Sequence, residues 1–256
     1  MQNNIFLGLF VGHNTVTLKE VDSTNTFAKQ LLSNSKPLPE GTVIMAETQL
    51  AGRGQTENVW HSEPHKNLTF SIILNPGFLA VNSQFDLNIA ICLALNDVLI
   101  KYFGDSAVIK WPNDCYVSHK KLGGILIENL VHGNQIKHAI IGIGLNVNQV
   151  NFPAELSNVT SFKKILQTDY DLNILKDEIC GSVEARYLQL KAGKYPDLLK
   201  AYLSKLYLHN VLKDFKIDGL IQKGIIRSIT SEGFLQVETE NGFRTFGMKE
   251  IEFIRN

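Results

Sequence analysis

The stretch 51-AGRGQTENVW-60, answered fifty residues later by 110-KWPNDCYVSHKKLGG-124, decides how the rest of the chain is read. The first run alternates glycine with arginine and amide residues and ends on a tryptophan. Gly52 and Gly54 let backbone N–H groups approach a ligand, Arg53 neutralises an anion, and Trp60 offers a stacking face. The second run sets Lys110, Asn113, Asp114, Lys120 and Lys121 beside Gly123 and Gly124. Together they read as a nucleotide-handling site. A GRG tripeptide by itself marks many plain turns, and the chain has neither the P-loop spacing nor the GxGxxG fingerprint. A third segment, 142-GIGLNVN-148, adds Asn146 to an otherwise apolar strand, where it either satisfies backbone bonds or reaches a ligand. Three such clusters, each at a strand end or turn, favour one shared pocket.

Outward from these motifs, 15-TVTLKEVDS-23 reads as a strand ending in capping residues, with Asp22 or Ser23 able to cap a helix over Thr24–Leu32. Segments 42–47 and 68–74 are strand candidates flanking the glycine-rich loop. Residues 84–103 carry a broad apolar stripe at helical spacing, long enough to lie against a sheet. A strand over 107–111, a turn at Pro112–Asn113–Asp114, and a hairpin from 124–131 and 136–148 follow. Two more helices are expected over 172–190 and 196–208. After about Asp214 the pattern becomes short strands at 221–229, 233–240 and 243–248, with Asn241–Gly242 a hairpin signal. The expected division is therefore a domain over 1–212 and a small β module over 213–256.

Bulk properties bound the function. At 44% apolar and 20% charged residues the chain belongs with ordinary globular proteins. Lysine plus arginine total 25 and aspartate plus glutamate total 25, a balance that argues against a dominant non-specific grip on nucleic acid. Cys92, Cys115 and Cys180 are widely separated and lack metal-binding spacing, as do His61, His65, His119 and His132. No secretory signal and no uninterrupted membrane-spanning stretch stand out, so a cytoplasmic location is expected, without membrane or DNA partners.

In this order the motifs 22-DSTN-25, GRG…W, KWPND, KKLGGILIE and GIGLNVN resemble the biotin–protein ligases, also called holocarboxylase synthetases, over nearly the whole chain. Within them the chain is similar to the group without an amino-terminal DNA-binding domain, since only 22 residues precede Ser23. The resemblance implies an α/β (α+β) fold: a class II aminoacyl-tRNA-synthetase-like catalytic domain with a mixed sheet, followed by an SH3-like barrel. It implies that Ser23, Thr24, Asn25, Gln49, Gly52, Arg53, Gly54, Lys121, Gly124 and Gly142 surround biotin. Gln55, Asn58, Trp60, Lys110, Asn113, Asp114 and Asn146 are implied at the ATP or adenylate end, with Asp114 the candidate Mg²⁺ ligand. Arg53 and Lys121 are the implied catalytic pair. The acceptor is expected to be the biotin carboxyl-carrier domain of a biotin-dependent carboxylase such as acetyl-CoA carboxylase, and the enzyme either a monomer or a homodimer.

The implied chemistry joins biotin to ATP as biotinyl-5′-AMP, releases pyrophosphate, and passes the biotinyl group to a carrier lysine. Neither step needs an enzyme nucleophile. One departure stands out: Thr56 and Glu57 occupy positions where many relatives carry a basic residue and a glycine, which is expected to weaken phosphate attraction or alter loop closure. Two alternatives stay open: a lipoate or octanoate ligase, and a non-enzymatic binder of biotin or biotinyl-AMP.

Overall fold

A seven-stranded sheet is built from β1 (Thr15–Val21), β2 (Val43–Gln49), β3 (Leu68–Leu74), β4 (Ala107–Lys110), β5 (Asp114–Val117), β6 (Lys120–His132) and β7 (Gln135–Leu145). The computed structural model describes residues 9–33, 38–55 and 58–254. Strand order is β1-β2-β3-β7-β6-β5-β4; β1 and β2 are parallel and every other neighbouring pair is antiparallel. The sheet is therefore mixed, as expected.

Strand alternation fixes what each face can hold. On one face Ile44, Ile73 and Ile140 meet Phe27, Ala28, Leu31 and Leu32 of α1 (Thr24–Ser33). On the other face Val43, Ile72 and Ile141 belong to the main core. That core is centred on α2 (Gln84–Phe103) and finished by α3 (Phe162–Leu166), α4 (Leu172–Lys191) and α5 (Tyr195–Lys205). The expected apolar stripe on α2 proves to be burial almost all round, from Leu87 to Leu99, because α4 and α5 cover the side turned away from the sheet. Each such side chain contributes about 1.5–3 kcal/mol by leaving water. By length and composition Val81–Ser106 is apolar enough to cross a membrane, yet 67% of its most apolar 18 residues are buried inside the protein. It is the core helix.

The carboxy-terminal strands are β8 (Leu212–Ile217), β9 (Leu220–Ile229), β10 (Leu235–Thr239), β11 (Gly242–Phe246) and β12 (Ile251–Phe253), ordered β11-β10-β9-β8-β12. The expected hairpin forms one residue earlier than the Asn241–Gly242 signal: Glu240 and Asn241 make the turn, and Gly242, at φ +99°, opens β11 opposite Thr239. The closed barrel does not form. Among the described residues β12, three residues long, pairs with β8, β11 pairs with β10, and no ladder joins these two edges. The expectation of an SH3-like barrel is corrected to an open five-stranded sheet. Its inner side, including Phe215, Ile217, Ile226, Leu235, Val237 and Ile251, joins the main core.

Glu184 on α4 fastens the start of the described chain. Its carboxylate accepts backbone N–H bonds from Leu9, from Phe10 at 2.7 Å and from Val11 at 2.9 Å. Burial pushes this carboxyl up, but the bonds from Val11, Leu9 and Phe10 together outweigh it and hold the group below its ordinary value. A depressed folded-state value means that the stabilisation is complete above the unfolded carboxyl's range and fades as pH falls through the folded one. Glu184→Ala is therefore expected to cost about 2 kcal/mol in urea melts at neutral pH, with the gap to the parent closing on acidification. An equal gap at both ends would contradict this assignment.

Candidate active site

The α1 face of the sheet has a bare region beyond the helix's first turn. Register puts Gly142 opposite Ser71 on β3 and Leu126 on β6, and puts Gly144 opposite Thr69 and Gly124. Asp114 on β5 stands opposite Gly124. One face thus runs through Thr69 and Ser71, then three glycines, then Asp114, where further β-branched residues would have filled the space. Above it lies a cavity of about 750 Å³, within the range of small-molecule sites.

Each of these glycines makes room for a particular group. A Cβ on Gly142 would stand 2.5 Å from Asn25 Oδ1, and one on Gly144 would stand 2.6 Å from Trp60 Cε2. A Cβ on Gly124 would approach Asp114 Oδ1 to 3.0 Å and the Lys121 Nζ to 3.6 Å. Gly144 escaped the sequence reading, although its two-residue spacing from Gly142 already set both on one strand face.

The loop carrying Arg53 is held closed at its neck. The Trp60 N–H donates to the Gly52 carbonyl at 2.9 Å, the Gly54 N–H donates to the Asn58 carbonyl at 2.7 Å, and Arg53 pairs with Val59. A Cβ on Gly52 would run into the Trp60 carbonyl and the Gln49 amide, so this glycine shapes the neck and is not on the cavity wall. Thr56 and Glu57, the expected departure from the motif, lie outside the described residues.

A chain of polar contacts crosses from α1 to this loop. Gln49 Oε1 accepts from the Thr24 N–H at 3.0 Å, and Ser71 Oγ lies 2.7 Å from Thr24 Oγ1 and 2.6 Å from Asn25 Oδ1. Asn25 Nδ2 donates to Glu128 Oε2 at 2.9 Å, and Arg53 donates to the same oxygen at 2.6 Å. Ser71 and Glu128 were not foreseen. On the opposite wall Lys121 Nζ pairs with Asp114 Oδ1 at 2.7 Å, and Asn113 donates to the Ile125 carbonyl.

Ser23, Thr24, Asn25, Gln49, Arg53, Gly54, Gln55, Asn58, Trp60, Lys110, Asn113, Asp114, Lys121, Gly124 and Gly142 all line this one cavity. Asn146 does not. It is buried, donates to the Thr160 carbonyl at 3.1 Å, and leaves Oδ1 without a partner among the described residues. The Trp60 indole N–H is likewise buried and unpartnered among them. A wall unforeseen in the sequence comes from the carboxy-terminal sheet: Met248, Lys249 and Ile251–Ile254 line the cavity, and Lys110 Nζ sits 4.7 Å above the Phe253 ring. The three cysteines are buried; burial first, then the charge of Asp114, pushes the Cys115 thiol well up, and burial does the same for Cys92. No thiolate is on hand for covalent chemistry.

A family model described as the biotin/lipoate A/B protein ligase family matches residues 18–146, just over half of the chain. The chain belongs to this family. Among similar proteins of known function, the bifunctional ligase/repressor BirA of Bacillus subtilis is 29% identical over 246 residues, covering 94% of this chain and 74% of that one. Biotin–protein ligase 2 of Arabidopsis thaliana is 30% identical over 79% of this chain and 63% of its own length. Among solved structures, the biotin protein ligase from Aquifex aeolicus in complex with biotin and ATP matches with a TM-score of 0.79 and 26% identity, over 95% of this chain and 100% of that chain. The resemblance to the biotin branch is borne out, and with it the α/β, class II aminoacyl-tRNA-synthetase-like catalytic fold of this ligase family.

Because Gly144 gives the Trp60 ring its seat, Gly144→Val is expected to expel that ring at a cost of about 1–3 kcal/mol. In a Trp111→Phe background, where Trp60 is the sole tryptophan, its fluorescence should shift to the red and quench more readily with acrylamide. Unchanged emission would show that the ring does not depend on this glycine.

Proposed function

We propose that this ligase activates biotin with ATP and transfers it to a lysine of a biotin carboxyl-carrier domain. The carrying observation is the glycine-floored cavity with Arg53 on one rim and Lys121 on the other, in a fold that matches a biotin- and ATP-bound relative across nearly its whole length. A biotin carboxylate oxygen attacks the α-phosphorus, the bond to pyrophosphate breaks, and biotinyl-5′-AMP remains. The carrier lysine, as a free amine, then attacks the biotinyl carbonyl; the bond to AMP breaks and the lysine's proton passes to solvent. Both steps gather negative charge between two cationic side chains, which lowers each barrier most where the site excludes water.

In this reading Ser23, Thr24, Asn25, Gln49 and Gly142 form the biotin end, with Gly52 and Gly54 shaping the loop over it. Trp60, Gln55, Asn58, Lys110, Asn113 and Asp114 form the adenylate end, and the Trp60 indole N–H, without a partner among the described residues, suits a ligand acceptor. Asn146 contributes there by bracing the end of β7. Among the described residues there is no cluster of three or more metal-ligating side chains. Asp114 offers one carboxylate, a donor set that fits Mg²⁺ carried in on nucleotide phosphates rather than a resident ion. When bound, the ion would offset phosphate charge.

The same proposal divides the chain into a catalytic part over 1–212 and an auxiliary module over 213–256. The module is an open five-stranded sheet, and its wall of the cavity suits a part in nucleotide binding. A cytoplasmic location accords with three unpaired cysteines and a need for ATP.

Purified chain supplied with Mg·ATP, biotin and a carrier domain should release pyrophosphate only when biotin is present and add one biotinyl mass to the carrier. Lys121→Ala should lower turnover by about a hundredfold or more while leaving the fold intact. Labelling by lipoate or octanoate in preference to biotin would move the assignment within the family. Biotin binding with neither pyrophosphate nor labelled carrier would reduce the protein to a binder.

A further inference from the structure

Glu128 lies just outside the cavity wall, yet it touches two residues that line it. It stands on β6 opposite Ile140 of β7, two residues beyond Leu126 and four beyond Gly124 on the same strand face. One carboxylate oxygen receives both Asn25 Nδ2, at 2.9 Å, and the Arg53 guanidinium, at 2.6 Å. Asn25 has a second anchor in the Leu126 carbonyl, at 3.2 Å, and accepts from Ser71. The Arg53 side chain is about half exposed, at 45%, and the only ion pair among the described residues that fixes it is the one to Glu128, itself 26% exposed. A flexible, well-hydrated arginine on a glycine-flanked loop loses rotamer freedom on gripping an anion, which costs affinity. A guanidinium has five donors, and holding one edge against a strand leaves the rest to a ligand.

We propose that Glu128 is a positioning residue for the ligase reaction, fixing Arg53 over the glycine floor and tying it to Asn25 so that the site is arranged before biotin arrives. The inference rests on the function proposed above. It assigns Glu128 to ground-state organisation of the biotin end, so its loss falls on KM for biotin more than on kcat. Glu128→Gln is the sharper variant, because its amide oxygen still accepts from Asn25 but its bond to Arg53 loses the charge.

The test measures biotin binding by calorimetry and steady-state pyrophosphate release for the parent, Glu128→Gln, Glu128→Ala, Arg53→Ala and Arg53→Ala/Glu128→Gln, with thermal melts of each. Glu128→Gln is expected to raise Kd and KM for biotin about threefold and Glu128→Ala about tenfold, with kcat within about twofold of the parent. On the Arg53→Ala background, Glu128→Gln should bring no further loss, since the two residues act as a unit. Unchanged biotin affinity in Glu128→Gln would overturn the inference. So would tighter binding, which would make Glu128 a competitor for Arg53, or multiplying losses in the double variant. If Glu128→Ala melts early, Glu128→Gln alone decides. A parent that binds no biotin and releases no pyrophosphate would instead overturn the functional reading itself, which keeps the two failures distinct.

Discussion

The absence of side chains at Gly124, Gly142 and Gly144 is the constraint on which the rest of the site depends. An antiparallel pair sets these positions side by side on one face, and helix α1 begins where that face turns bare. Apolar branched residues there would have extended the α1 core cluster of Ile44, Ile73 and Ile140 by one more layer. The protein gives up that burial, about 1.5–3 kcal/mol for each large side chain not placed. What it gains is a floor low enough for Asn25, Trp60, Asp114 and Lys121 to stand around a ligand-sized void without collapsing onto it.

An open floor leaves polar groups that must find partners from the side. Gln49, Thr24, Ser71, Asn25, Glu128 and Arg53 answer this with one continuous set of contacts, in which strand side chains hold helix and loop side chains. The links within the buried part, at Thr24, Asn25 and Ser71, satisfy groups whose desolvation alone would cost about 1–3 kcal/mol each. Lys121 and Asp114 do the same on the far wall. The cations that the chemistry needs are therefore already placed and partly neutralised before a ligand arrives.

Much of this was legible in the sequence. Period-two and helical patterns located β1, α1, β2, β3, α2 and the β6–β7 hairpin because each is long and packs at least one face, if only partly buried in β1, against the core. What failed was short or two-sided. The four residues of β5 begin inside the Asn113–Asp114 turn chemistry, and β12 spans three residues, too few to show a period. In β8 the inner face mixes Lys213 with Phe215 and Ile217, which blurs the alternation. Expected helix α5 overran to 208, whereas it ends at Lys205 because Leu206 pairs with Ile109 of β4. The motifs named nearly every cavity residue up to Gly142, but Ser71 lies in a segment that read as plain strand, Glu128 closes the KKLGGILIE motif without being singled out, and Phe253 lies beyond the last strand that was expected. Their roles come from pairing partners distant in sequence, which no local pattern encodes.

The carboxy-terminal sheet explains why a turn as short as Trp111–Asn113 can serve as a fixed wall. The Trp111 indole N–H donates to the Gly233 carbonyl at 2.9 Å, so the turn is fastened to the loop between β9 and β10. From below, the Pro112 carbonyl accepts from Asn88 at 2.8 Å and from Tyr202 at 3.1 Å, which ties it to α2 and α5. From the side, Phe253 lies beneath Lys110 and packs edge-on against Phe215. Three directions of support reach a turn that, left to its own backbone bonds, would sample many arrangements at a cost of about 1–2 kcal/mol per residue to order. An open sheet suffices for this work. Its contribution is a carbonyl and an aromatic ring in the right places, and a closed barrel would add nothing to either contact.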